Sequence, residues 1–184
     1  MSVTQDETRF SKPLIYMLIG SAFILALSLG IRHGFGLYLV PMSHEFGWSH
    51  QVFSLAIAFQ NLLWGAVQPF TGALADKYGS KKVVAVGGVL YCIGLGLMSI
   101  SSSVWLLDLS AGLIIGMALS ATSFSVLLSA VGRAAHPSKR GMAMGIASAA
   151  GSFGQFIRLP PTLLLIKHFG WSSALVISAI LVAL

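Results

Sequence analysis

The chain has 184 residues, of which 56% are hydrophobic and 9% charged, whereas a soluble domain carries about a quarter charged residues; it reads as a polytopic membrane protein. Its net charge of +6 does not point to nucleic acid, because the basic residues stand in short clusters between apolar runs, where they orient a chain in a bilayer. Cys92 is the single cysteine, so the chain builds neither a disulfide nor a cysteine metal site within itself.

The polar segment 1–13 leads into an apolar run too long for a signal-peptide core, so the first span is expected to stay. A span needs ~20 mostly apolar residues, and the polar clusters delimit six: 14–40, 51–73, 83–101, 104–132, 141–166 and 171–184. All are read as helices, which satisfy their own backbone in lipid. Arg9 and Lys12 precede the first span, Lys77, Lys81 and Lys82 follow the second, and Arg133, Lys139 and Arg140 follow the fourth. The opposite loops hold only Lys167, so the positive-inside rule puts the N-terminus in the cytoplasm. Those loops repeat a phrase, Phe46-Gly47-Trp48-Ser49 and Phe169-Gly170-Trp171-Ser172, read as interfacial tryptophans with a serine capping the next helix. The sixth span, 171–184, falls short of a full crossing and reads as truncated.

Helical spacing marks the polar faces. The first span aligns Ser21, Ser28, Arg32 and Gly36; the second Ser54, Asn61, Gln68 and Gly72, with Gln60 beside them. The fourth aligns Gly112, Gly116, Ser120 and Ser123, and the fifth Ser148, Gly151, Gln155, Arg158 and Thr162. The small residues read as helix-packing positions. The arginines differ, because a guanidinium in hydrocarbon costs at least ~2.5–3.5 kcal/mol and needs a partner, a wet cavity or a ligand. Counting ~1.5 Å per residue places Arg32 about 27 Å beyond Leu14 and Arg158 about 26 Å beyond Gly141, in the outer half of the membrane. Snorkelling to the interface is the alternative for each; Gly30, Gly34 and Gly36 are expected to open a cavity around Arg32, which favours a cavity role there, while for Arg158 the two readings stand equal. His33 lies ~100° round the helix from Arg32 and reads as packing.

Between the second and third spans stands Gly72-Ala-Leu-Ala-Asp-Lys-Tyr-Gly-Ser-Lys-Lys82. Gly72 would let helices approach, Gly79 take a left-handed helix-ending conformation, and Asp76 meet a helix N-terminus or a cation. The stretch resembles the signature between helices two and three of the major facilitator superfamily. That resemblance implies a cytoplasmic gating network in which Asp76 faces Lys77, Lys81 and Lys82, with Arg133 as a further partner. Arg32-His-Gly-Phe-Gly-Leu37, Glu45-Phe-Gly-Trp48, the run from Phe53 to Trp64, and Gly151-Ser-Phe-Gly-Gln155 are similar to the bacterial branch related to monocarboxylate porters and oxalate/formate antiporters.

The resemblance implies an all-α membrane fold, the N-terminal six-helix half of a twelve-helix transporter in the cell (inner) membrane. Helices 1, 2, 4 and 5 would line a cavity, and 3 and 6 would be peripheral. The expected function is secondary transport of a small organic anion, a monocarboxylate, with proton coupling or exchange, completed by a C-terminal half. Arg32 would orient the carboxylate, with Asn61, Gln155 and Arg158 completing the site. Arg158 departs from the family pattern, which is apolar there. The alternative is a truncated scaffold that does not transport. Neither a Gly-x-Ser-x-Gly elbow nor a His-Glu-x-x-His metal site is present, so an enzyme is not expected.

Overall fold

The computed structural model describes residues 12–184, so Arg9 and most of the N-terminal segment lie outside the described residues. Those described are almost wholly helical, with no strand among them. Helix α1 (Lys12–His33) and helix α2 (Gly36–Phe46) form one 35-residue stretch. Between them the hydrogen-bond ladder tightens: Phe35 N–H donates to the Arg32 carbonyl (3.1 Å), Leu37 to Gly34 (3.0 Å) and Tyr38 to Phe35 (3.0 Å). These three-residue steps are the 3₁₀ pattern, and they begin at Ile31, whose carbonyl takes the Gly34 N–H (3.1 Å). Because the stretch runs on to Phe46, Arg32 lies just past its middle, nearer the centre than the span 14–40 implied.

Helix α3 (His50–Tyr78) stops at Gly79, whose φ of 92° and ψ of 139° make it a glycine-only conformation, though extended and not the left-handed helical one expected. Helix α4 (Ser80–Ser99) follows at once. The fourth segment is broken into α5 (Val104–Leu107), a π-helical turn at Asp108–Ile114, α6 (Ile115–Ala121) and α7 (Phe124–Ala134). Helix α8 (Arg140–Ala183) divides at Gly170 (φ 81°, ψ 164°) into a fifth and a sixth arm. Among the described residues, four stretches are long and apolar enough to cross a membrane: Lys12–Phe46, Ser80–Ser99, Val104–Ala134 and Pro137–Ala183. Helix α3 has the length, 29 residues, but carries Gln60, Asn61, Gln68, Asp76 and Lys77 and is not among the four.

Two main apolar clusters stack along the bundle. One, toward the Glu45 end, gathers Phe35, Tyr38, Met42, Tyr91, Leu95, Leu107 and Trp171; the other, toward the Asp76 end, gathers Leu14, Leu25, Leu29, Val131 and Ala147. They are locked by the crossing of α1 with the fifth arm. A Cβ on Gly154 would stand 2.2 Å from Ala26 Cα, and one on Gly30 would stand 2.8 Å from the Gly154 carbonyl and 2.9 Å from Arg158 Cβ. Gly34 likewise faces Thr162. Gly30 and Gly34 therefore seat the fifth arm and do not open space for Arg32. The reverse holds at Gly72, where an added Cβ meets nothing within 4 Å, so no helix of this bundle approaches it. Gly112 and Gly116 take α3 against the fourth segment, and Thr71 bonds Ser120 there (2.8 Å), so that stripe is a packing face.

The repeated aromatic phrases meet each other. Phe46 stacks on Trp48 (4.6 Å between centroids) and meets Trp171 edge-on (5.8 Å), while Trp171 Nε1 donates to the Glu45 carboxylate. Trp171 is 8% exposed, an inward residue and not an interfacial anchor. The serine caps are absent too: Ser49 makes no capping bond, and Ser172 Oγ donates 2.7 Å to the Ser99 carbonyl. A helix C-terminus leaves carbonyls without intrahelical partners, so Ser172 serves the end of α4 instead of its own helix.

Candidate functional site

Arg32 stands where the two clusters meet, just after Leu29 of one and Ile31 of the other, and Trp64 of α3 packs against both. Its guanidinium turns toward α3. Nη2 donates to Asn61 Oδ1, and Cζ sits 4.5 Å from the centroid of the Trp64 ring. The amide of Asn61 is itself oriented, since Nδ2 donates to the Ile57 carbonyl one turn earlier (2.8 Å). Snorkelling to the end of the helix is thus not the course this side chain takes.

Both partners are neutral. No carboxylate among the described residues pairs with Arg32, and its Nε and the Trp64 Nε1 are buried without hydrogen-bond partners. A guanidinium has five N–H donors and no acceptor, so the arrangement is short of acceptors. An anion with two oxygens is the ligand that fits the deficit.

Behind Arg32 lies Tyr91 of α4, fully buried, whose hydroxyl donates 2.9 Å to the Ser28 carbonyl. That carbonyl is one turn before Arg32, and both Arg32 and Arg158 lie within electrostatic reach of the phenol. The third helix, read as peripheral, therefore backs the arginine. Ser21 and Ser28 are buried in the bundle and do not line a wet face. In α3, by contrast, Ser54, Asn61 and Gly65 are exposed on one side.

Arg158 is half-buried on the fifth arm at the Gly30 crossing, and its Nη2 donates to Ser178 of the sixth arm (2.9 Å). Its partner is thus away from Asn61. Gln155 is half-buried and bonds neither arginine among the described residues. His33 is exposed, and its Nδ1 lies 3.0 Å from the Leu29 carbonyl of its own helix. The structure brings together Arg32 and Asn61 of the expected residues and adds Trp64 and Tyr91. Trp64 carried a signal, three residues after Asn61 and so on the same face; Tyr91 and Ser178 carried none.

At the other end, Arg133 Nη1 donates 2.8 Å to Asp76, and its Nη2 donates 2.8 Å to Ser80 Oγ. This fork crosses from the end of α7 to the α3–α4 turn. Of the three loop lysines, none pairs with Asp76 among the described residues; all are exposed, and Lys77 Nζ lies 5.2 Å from the Tyr78 ring.

A family model for the major facilitator superfamily matches residues 16–184. The chain belongs to the major facilitator superfamily. This all-α membrane protein is 32% identical over 166 residues to monocarboxylate transporter 2 of Homo sapiens, covering 88% of this chain and 34% of that protein. It is 31% identical over 170 residues to monocarboxylate transporter 13 of Bos taurus (88% of this chain, 38% of that protein) and 30% identical over 167 residues to monocarboxylate transporter 11 of Mus musculus (88% and 36%). The chain spans about a third of the length of these major facilitator relatives.

Proposed function

We propose that the chain is the N-terminal six-helix half of a secondary transporter that moves a small monocarboxylate across the cell (inner) membrane by alternating access. Its N-terminus is cytoplasmic, and proton coupling or exchange drives the cycle. The observation that carries the reading is Arg32, a cation near the middle of an apolar stretch, held only by an amide oxygen and an aromatic ring. The substrate carboxylate supplies the missing charge. The exposed polar side of α3 beside it is the face an opposing half would close. In this reading Arg158 and Gln155 complete the site from the fifth arm.

The test is uptake of radiolabelled formate, acetate, lactate and benzoate, in turn, by the purified complete transporter in proteoliposomes. Saturable uptake of at least one, suppressed by excess unlabelled compound, is expected. Uptake that rises linearly for all four overturns the proposal.

The Asp76–Arg133 pair serves as a cytoplasmic gate in this reading. Its side chains are 71% and 51% exposed, and an exposed pair stabilises a fold by only about 0–1 kcal/mol. Asp76→Arg or Arg133→Asp is therefore expected to leave the thermal midpoint nearly unchanged while slowing turnover on the order of tenfold, ~1.4 kcal/mol. The double reversal should restore turnover. Single reversals with normal turnover would remove the gating role.

A further inference from the structure

The Arg32 site holds its own stand-in for the anion. The Asn61 carbonyl oxygen lies on the guanidinium where a carboxylate oxygen would lie, and the bond from Nδ2 to the Ile57 carbonyl keeps that oxygen turned toward the arginine. The opposite side of the cation is occupied by the Trp64 ring, 4.5 Å from Cζ. Among the described residues the guanidinium has no other hydrogen-bond acceptor, and Nε remains without one. Asn61 is exposed, whereas Trp64 is partly buried against both apolar clusters. The displaceable partner is the amide.

We infer that Asn61 is a specificity-determining residue that competes with substrate for Arg32, and that a carboxylate enters by displacing its oxygen. This rests on the reading of Arg32 as the anion site. A carboxylate brings a full negative charge and two oxygens that can take the guanidinium bidentately, which the single neutral oxygen of an amide does not. An anion therefore displaces Asn61, and an uncharged acceptor of the same shape does not. The amide keeps the cation satisfied while the site is empty and rejects neutral solutes.

The consequence has a sign opposite to that of an ordinary binding residue. In the complete transporter, Asn61→Ala is expected to lower KM for whichever of formate, acetate, lactate or benzoate shows the greatest wild-type uptake, by about three- to tenfold, with the competing bond removed. Asn61→Asp, which puts a fixed carboxylate on the guanidinium, is expected to raise KM or abolish uptake at equal membrane incorporation. A higher KM in Asn61→Ala would make Asn61 a substrate contact and overturn the inference, as would unchanged KM in both variants. The parent reading fails separately: normal uptake by Arg32→Gln removes the anion site itself, while loss of uptake there together with a raised KM in Asn61→Ala removes only the competing role.

Discussion

Arg32→Gln in the complete transporter is expected to lower uptake by about 100- to 4,000-fold per incorporated molecule. The estimate follows from leaving the substrate carboxylate in a low-dielectric site without its partner, which costs about 3–5 kcal/mol, at ~1.4 kcal/mol per decade. Glutamine still offers an N–H to Asn61, so the bundle itself should survive, and incorporation should match wild type. Arg32→Lys is the informative intermediate. It keeps the charge but loses the planar fork that donates to Asn61 and lies over Trp64, so KM should rise while turnover persists. Equal uptake by wild type and Arg32→Gln would leave the arginine a packing residue.

Gly154→Val is expected to be the most disruptive single change in the bundle, for a reason unrelated to substrate. Even the first added carbon would stand 2.2 Å from Ala26 Cα and 2.5 Å from the Ala26 carbonyl. The obstacle is backbone, which a rotamer change cannot relieve. Overpacking of a tight core costs typically 1–3 kcal/mol, and here α1 and the fifth arm would have to part along their crossing. The expected result is a lower yield of monodisperse, detergent-extracted protein and a lowered thermal midpoint. Gly145→Val is the control, since nothing lies within 4 Å of a Cβ there. If the two variants behaved alike, the α1–α8 crossing described above would be wrong.

Much of the architecture was legible because it follows from coarse forces. The motif at Gly72–Lys82 and the long apolar runs identified the family and its helical build. Arg32 lies nearer the middle of its stretch than the span 14–40 implied because α2 continues through Pro41 to Phe46, and the missing backbone donor of that proline does not end the helix. The glycines beside Arg32 were read as making room for it. Gly30 and Gly34 serve a neighbouring helix instead, while Gly36 has open space around it, because a glycine shows which positions are small but not which element comes close. The serines at 49 and 172 failed as caps for a related reason: Ser172 found an orphan carbonyl at Ser99 that adjacency in sequence does not reveal. Asp76 has three lysines nearby in the chain, yet its partner is Arg133, 57 residues away, which only the family resemblance offered. Long-range pairing of this kind, like that of Tyr91 with the Ser28 carbonyl, is set by how helices cross and leaves no periodic trace.

The central claim is that Arg32 lacks an anion which the substrate provides. The most direct measurement is competition in proteoliposomes of the complete transporter between radiolabelled lactate and either unlabelled lactate or lactamide, which has nearly the same shape without the charge. The account predicts that lactate suppresses uptake saturably and lactamide does not. Equal suppression by the uncharged amide would contradict it.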